Sequence, residues 1–235
     1  FIDGGFSAAL VQKRTRTEID FSTVYYFNII ISFIFYGILY FTAPYISSFY
    51  NLPELTIITR VISLNLIISA FSAVARTKLT IDVDFKTQSK VSLSSVLISG
   101  SVGVFMALNN YGVWALIAQS ILNTLLNTLI IFYFIRWKPI FVFSVDSFKS
   151  LFPFGFRLLL SQLIGSIYVN IYSLVIGKKF SSEDLGFYSR ADTFSQFPTT
   201  SISAILSRVT FPILSSISND DDYLKNIYTK YLQIT

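Results

Sequence analysis

Cysteine and histidine are both missing from the 235 residues. Without thiols there is no disulfide, no thiolate nucleophile and no soft-metal site. Without imidazole, Ser-His-Asp and Cys-His catalysis and His-ligated zinc are excluded as well. No Gly-rich phosphate loop or P-loop occurs, so the chain carries no ATPase signature. Charge is scarce too, since Asp, Glu, Lys and Arg make up 13% of the chain, about half the roughly 25% of ordinary globular domains. What fills the space is apolar: hydrophobic residues reach 53% and the mean hydropathy is +0.61.

The longest consequence of that scarcity is the run from Val91 to Ile135, with no charged residue between Lys90 and Arg136. It is about twice the roughly 20 residues that a helix needs to cross a bilayer. Asn109-Asn110-Tyr111-Gly112 interrupts it once with a turn signal. A helical hairpin through a membrane is the expected structure, with a short polar tip and basic residues at both roots.

Further spans follow by the same criterion. Phe21 to Pro53 is a second uncharged run, expected to hold one tilted span stopped near Pro44, with an interfacial turn over Tyr45 to Pro53. Leu55 to Ala75 is the next, with Arg60 about one turn in and Arg76 at its far end. A polar connector is expected over Thr77 to Lys90, and another from Arg136 to Arg157. Leu158 to Gly177 is one clean span, followed by a mixed-charge loop over Lys178 to Asp192. Thr193 to Ser218, interrupted by Pro198, Arg208 and Pro212, reads as a kinked span. In the tail after Asp220-Asp221-Asp222, Tyr223, Leu224, Ile227, Tyr228, Tyr231 and Leu232 recur at helical spacing and predict an interfacial amphipathic helix. The fold class is therefore all-α, a polytopic transmembrane bundle of about six complete spans plus the end of an earlier one over Phe1 to Val11. The chain begins at Phe1 and is read as a fragment.

Alternating the connectors puts Gln12–Asp20, Arg76–Lys90 and Arg136–Arg157 on one side, with eleven Lys or Arg residues. The other side holds four, Arg60, Lys178, Lys179 and Arg190. The positive-inside rule assigns the richer side to the cytoplasm. The net charge of +5 is thereby explained by orientation in a membrane, and nucleic acid is not an expected partner.

The candidate functional residues are the arginines at membrane depth: Arg60, Arg76, Arg157 and Arg208, with Arg190 near a mouth. The acids lie in connectors or at termini, apart from Asp3 beside the truncated first span. A charge in hydrocarbon costs roughly 2.5–3.5 kcal/mol on insertion scales and needs a partner, water or a ligand. An anionic ligand suits guanidinium, whose forked donors match phosphate. Snorkelling at helix ends competes as an explanation for Arg76 and Arg157. A local pair with Asp192 competes for Arg190. Two polar stripes accompany the arginines. Ser92, Ser95, Ser99 and Gly103 share a helical face, for which helix packing is the favoured role. Gln162, Ser166, Asn170 and Ser173 share another, which either packs or lines a hydrated cavity for sugar hydroxyls.

Four stretches carry a family likeness: Asp3 to Gln12 (DGGFSAALVQ), Tyr111 to Leu116 (YGVWAL), Ile176 to Ala191 (with IGKKF and LGFYSRA) and Leu206 to Pro212 (LSRVTFP). In their order and spacing the chain resembles the bacterial polysaccharide transporter family. Those proteins are lipopolysaccharide and exopolysaccharide flippases of the multidrug/oligosaccharidyl-lipid/polysaccharide exporter superfamily. The resemblance implies a two-lobed, many-helix transporter around a central cationic cavity, of which this chain holds the third to eighth helices. Residues 1–150 then belong to the first lobe and 151–235 begin the second. A faint echo between Ser203-Ala204-Ile205-Leu206 and Ser7-Ala8-Ala9-Leu10 agrees with lobes built from repeats.

The implied activity is movement of undecaprenyl-pyrophosphate-linked sugar units across the bacterial inner membrane by alternating access. It requires no enzyme chemistry and no cofactor. Lipid-linked oligosaccharide, membrane lipids and other polysaccharide assembly proteins are the candidate partners. On this reading Arg76, Arg157 and Arg208 receive the pyrophosphate on the cytoplasmic side and Arg60 and Arg190 serve the outward-facing state, with Gln162 and Asn170 as further substrate contacts. Two alternatives compete. A cation-coupled drug exporter of the same superfamily would expect an acid inside a span. A membrane-embedded glycan polymerase would expect a large outward catalytic loop.

Overall fold

The computed structural model describes residues 5–13, 15–135 and 137–196, and these divide into two units, Phe1–Val169 and Asn170–Thr235. All regular structure among the described residues is helical. In the first unit the order is α1 (Gly5–Gln12), α2 (Glu18–Tyr50), α3 (Leu55–Ile62), α4 (Leu64–Ile81), α5 (Phe85–Leu108), α6 (Val113–Phe134) and the start of α7 (Val145–Lys179). In the second unit α7 ends and a further helical stretch covers 182–196. Five stretches among the described residues are long and apolar enough to cross a membrane: Glu18–Tyr50, Leu55–Ile81, Phe85–Leu108, Val113–Phe134 and Val145–Lys179. The kinked span expected over Thr193 to Ser218 and the amphipathic tail lie almost wholly outside the described residues, as do Arg208 and the echo at Ser203.

Helix α2 starts at a capping box: Thr17 Oγ1 accepts from the Asp20 N–H at 3.3 Å, and Asp20 Oδ2 accepts from the Thr17 N–H at 2.8 Å. The helix does not stop at Pro44, as expected, but runs on to Tyr50 and ends where Asn51 takes φ 58°. Pro44 has no N–H to offer the Tyr40 carbonyl four residues earlier. Arg60 Nε fills that gap, donating to the Tyr40 carbonyl oxygen at 3.3 Å while its guanidinium lies 4.2 Å from the centre of the Tyr40 ring. In an apolar medium such a substitute donor is what lets a proline persist inside a spanning helix.

The next span is likewise longer than expected, reaching Ile81, and it breaks at Ser63 between α3 and α4. Ser63 Oγ bonds back to the Thr59 carbonyl at 2.6 Å, a competition with the helical ladder that bends helices. The expected polar connector over Thr77 to Lys90 therefore shrinks to Asp82-Val83-Asp84, and the one expected from Arg136 to Arg157 ends where α7 begins at Val145, so that Arg157 lies inside a helix. The mixed-charge loop expected over Lys178 to Asp192 is also mostly helix, because only 180 and 181 separate α7 from the helical stretch after it. The hairpin is as expected: α5 and α6 meet at a turn in which Asn110 has φ 61° and Gly112 has φ 55°.

Connectors assigned to one side by charge do meet. Glu18 accepts from Lys78 Nζ and from Trp137 Nε1, each at 2.7 Å, which ties the start of α2, the end of α4 and the segment after α6 together. Ser22 and Thr23 accept backbone N–H groups of Ile140 and Ser144. The apolar core beside this end packs Phe6, Leu10, Val24, Val74 and Leu151. Large side chains elsewhere point outward, Phe41 and Tyr133 among them, as helices surrounded by hydrocarbon require.

Candidate functional site

Polar residues do not scatter over α4 but recur at helical spacing: Asn65, Ser69, Ser72 and Arg76 lie on one face. Helix α6 answers with Ser120, Asn123, Asn127 and Thr128. The two faces are joined by hydrogen bonds. Asn65 Nδ2 donates to Ser120 Oγ at 3.0 Å. The Thr128 hydroxyl bridges Ser72 Oγ at 3.1 Å and the Ile68 carbonyl at 3.2 Å. Arg76 Nη2 donates to the same Ser72 Oγ at 2.9 Å, which fixes the guanidinium against the seam.

Two cavities adjoin this seam. The larger, about 610 Å³, opens among Ser7 of α1, Arg76 and Thr80 of α4, Gln88 and Ser92 of α5 and Asn127 of α6. The smaller, about 260 Å³, lies between α4 and α6 with Asn65, Ser69, Asn123 and Thr124 in its wall. Arg76 and Asn127 line both. They form the partition between a vestibule at the Glu18–Lys78–Trp137 end and a compartment deeper along the helices. Asn65 stands about 16 Å from Arg76 along the α4 axis, at 1.5 Å per residue. Among the described residues lining the two cavities, Arg76 carries the one charge.

Of Arg76, Arg157 and Arg208, expected to act together, the first two are among the described residues, and only Arg76 of that pair lines the two cavities. Arg76, half-buried, lines the cavities. Arg60 stands on α3 against Tyr40. Arg157 and Gln162 are exposed on α7, and neither lines either cavity. Asn170 and Arg190 are exposed in the second unit. Arg208 lies outside the described residues. The serine stripe on α5 packs: Ser95, Ser99 and Gly103 are buried, and a Cβ at Gly103 would come within 3.0 Å of Gln119 Cβ, while Ser92 turns to the vestibule. Sequence reasoning missed the amides Asn65, Asn123 and Asn127. Their signal was present, since asparagine at i and i+4 within an otherwise apolar span is costly to bury unless it faces something polar.

Apolar spanning helices around an internal polar seam define a polytopic helical membrane protein with an intramembrane cleft. The chain belongs to the polysaccharide biosynthesis protein family, whose pattern matches residues 1–235. It is 31% identical over 229 residues to the teichuronic acid biosynthesis protein TuaB of Bacillus subtilis, covering 95% of this chain and 47% of that protein. It is 24% identical over 232 residues to the succinoglycan biosynthesis transport protein ExoT of Rhizobium meliloti, covering 98% of this chain and 47% of that one. With the lipopolysaccharide biosynthesis protein WzxC of Escherichia coli the identity is 23% over 238 residues, 99% of this chain and 48% of the relative. The chain thus spans about half the length of these curated relatives. No solved structure matches it.

Proposed function

We propose that the protein is a flippase-type transporter that moves undecaprenyl-pyrophosphate-linked oligosaccharide across the bacterial inner membrane by alternating access, without enzyme chemistry. The observation that carries this is Arg76: a half-buried guanidinium, pinned by Ser72 at 2.9 Å, in the wall of a cavity of about 610 Å³ at the basic end of the bundle. A fixed guanidinium in a partly desolvated setting gives charge-assisted, forked hydrogen bonds to a pyrophosphate. Thr80, Gln88 and Ser92 add neutral donors around it. The names of the relatives, for teichuronic acid biosynthesis, succinoglycan biosynthesis transport and lipopolysaccharide biosynthesis, support the substrate class.

In this reading residues 1–150 belong to a first lobe and 151–235 open a second, in which Arg157, Gln162, Asn170, Arg190 and Arg208 serve other stages of passage. Arg60 has a structural part, as the donor that Pro44 lacks. The test is Arg76→Gln in the intact protein, with surface polysaccharide and membrane protein level both measured. Export falls while the level holds. Undiminished export at normal level removes Arg76 from the mechanism.

A further inference from the structure

The smaller cavity holds a feature that the phosphate reading leaves unexplained. Asn65 Oδ1 and Asn123 Oδ1 are buried and accept no hydrogen bond, and both residues line that cavity. An amide oxygen left so is costly, and buried polar atoms without partners are uncommon enough to need a reason. Turning the Asn65 amide over would only exchange the bare oxygen for a bare N–H, because the Ser120 hydroxyl can pair with one of the two amide atoms. The wall therefore presents two bare acceptors, with the Ser69 and Thr124 hydroxyls beside them and the Arg76 guanidinium at the partition. Acceptors in pairs call for a ligand with several O–H donors. A cation is disfavoured by Arg76 in the same wall.

We propose that this compartment is the subsite for the sugar ring attached directly to the pyrophosphate. The inference rests on the reading that Arg76 takes the phosphate. Because Arg76 and Asn127 line both cavities, a group bonded to a phosphate held there lies at the mouth of the smaller one. Its volume of about 260 Å³ falls just under the roughly 300–1,000 Å³ of pockets that enclose drug-sized ligands. One ring fits and an oligosaccharide does not, so the rest of the glycan stays in the vestibule. The ring hydroxyls donate to Asn65 Oδ1 and Asn123 Oδ1, and Leu66 offers an apolar surface to the ring's C–H face.

The test compares two probes on the full-length protein in lipid nanodiscs: undecaprenyl pyrophosphate and undecaprenyl-pyrophosphate-linked hexose. The unsubstituted protein binds the hexose-bearing lipid about tenfold more tightly, the yield of two hydrogen bonds of ordinary net strength. In Asn65→Ala and Asn123→Ala that preference shrinks toward one, whereas Arg76→Gln weakens both probes together. Equal affinity of the unsubstituted protein for the two lipids overturns the sugar subsite and leaves the phosphate reading standing, and this comparison needs no variant to fold. A preference that survives both asparagine substitutions also overturns it. Failure to bind either lipid overturns the phosphate reading itself.

Discussion

Removing Arg60 and Pro44 singly and together isolates one interaction that the fold requires. Pro44 leaves the Tyr40 carbonyl without its helical donor, and Arg60 Nε supplies one at 3.3 Å. Arg60→Ala takes that donor away and leaves a carbonyl unsatisfied in an apolar setting, a cost of roughly 1–3 kcal/mol in proteins generally and about 0.6 kcal/mol on average for polar pairs measured inside membranes. We expect about 1 kcal/mol between these limits. Pro44→Ala restores an N–H at the right place, so in that background the same loss vanishes. The ring contact of Arg60 with Tyr40 and the cost of inserting a charge are common to both backgrounds and cancel in the cycle. Unfolding of the four full-length proteins in mixed micelles, followed by tryptophan fluorescence, gives the coupling energy. Costs for Arg60→Ala that agree within about 0.3 kcal/mol in the two backgrounds refute the substitute-donor role.

Three further outcomes follow from the packing and caps. A Cβ at Gly5 would run into the Gly155 carbonyl, whereas a Cβ at Gly155 meets nothing nearer than 3.4 Å. Gly5→Ala is therefore expected to cost about 1–3 kcal/mol of stability by overpacking and Gly155→Ala to cost nothing, in the same unfolding assay. Val83, exposed in the α4–α5 turn, has φ 55°, which costs an L-residue roughly 1–2 kcal/mol, so Val83→Gly raises the melting temperature. Asp84 caps α5, and hydrogen bonds from the Thr87 hydroxyl and N–H hold its carboxyl below the usual range. A lowered folded value means that the cap stabilises above the unfolded value and is lost as pH falls through the folded one. The melting temperatures of wild type and Asp84→Asn thus differ at neutral pH and converge in acid below about pH 4.

The spans and the grouping of their connectors were legible because both follow from composition along the chain. The uncharged run with its Asn-Asn-Tyr-Gly break specifies the α5–α6 hairpin, and connectors grouped by charge meet at Glu18, Lys78 and Trp137. Helix ends were less legible where a distant residue decides them. Pro44 reads as a stop until Arg60, on another helix, supplies the missing donor. Thr77 and Leu79 read as connector, yet they are buried against neighbouring helices, so α4 continues to Ile81. Arg76 could be named from its charge alone. The asparagines opposite it could not, because facing positions on α4 and α6 come together only once both helices are packed.

The proposed transport rests on the Arg76 guanidinium gripping the pyrophosphate of a lipid carrier in the vestibule at the Glu18–Lys78–Trp137 end. Binding of undecaprenyl pyrophosphate to the full-length protein in nanodiscs, measured for wild type, Arg76→Lys and Arg76→Gln, tests it most directly. A lost charge-assisted contact of roughly 1.5–3 kcal/mol predicts about a tenfold to hundredfold weaker Kd for Arg76→Gln, with Arg76→Lys in between because it keeps charge without the fork. Equal affinity for all three proteins, each folded, contradicts it.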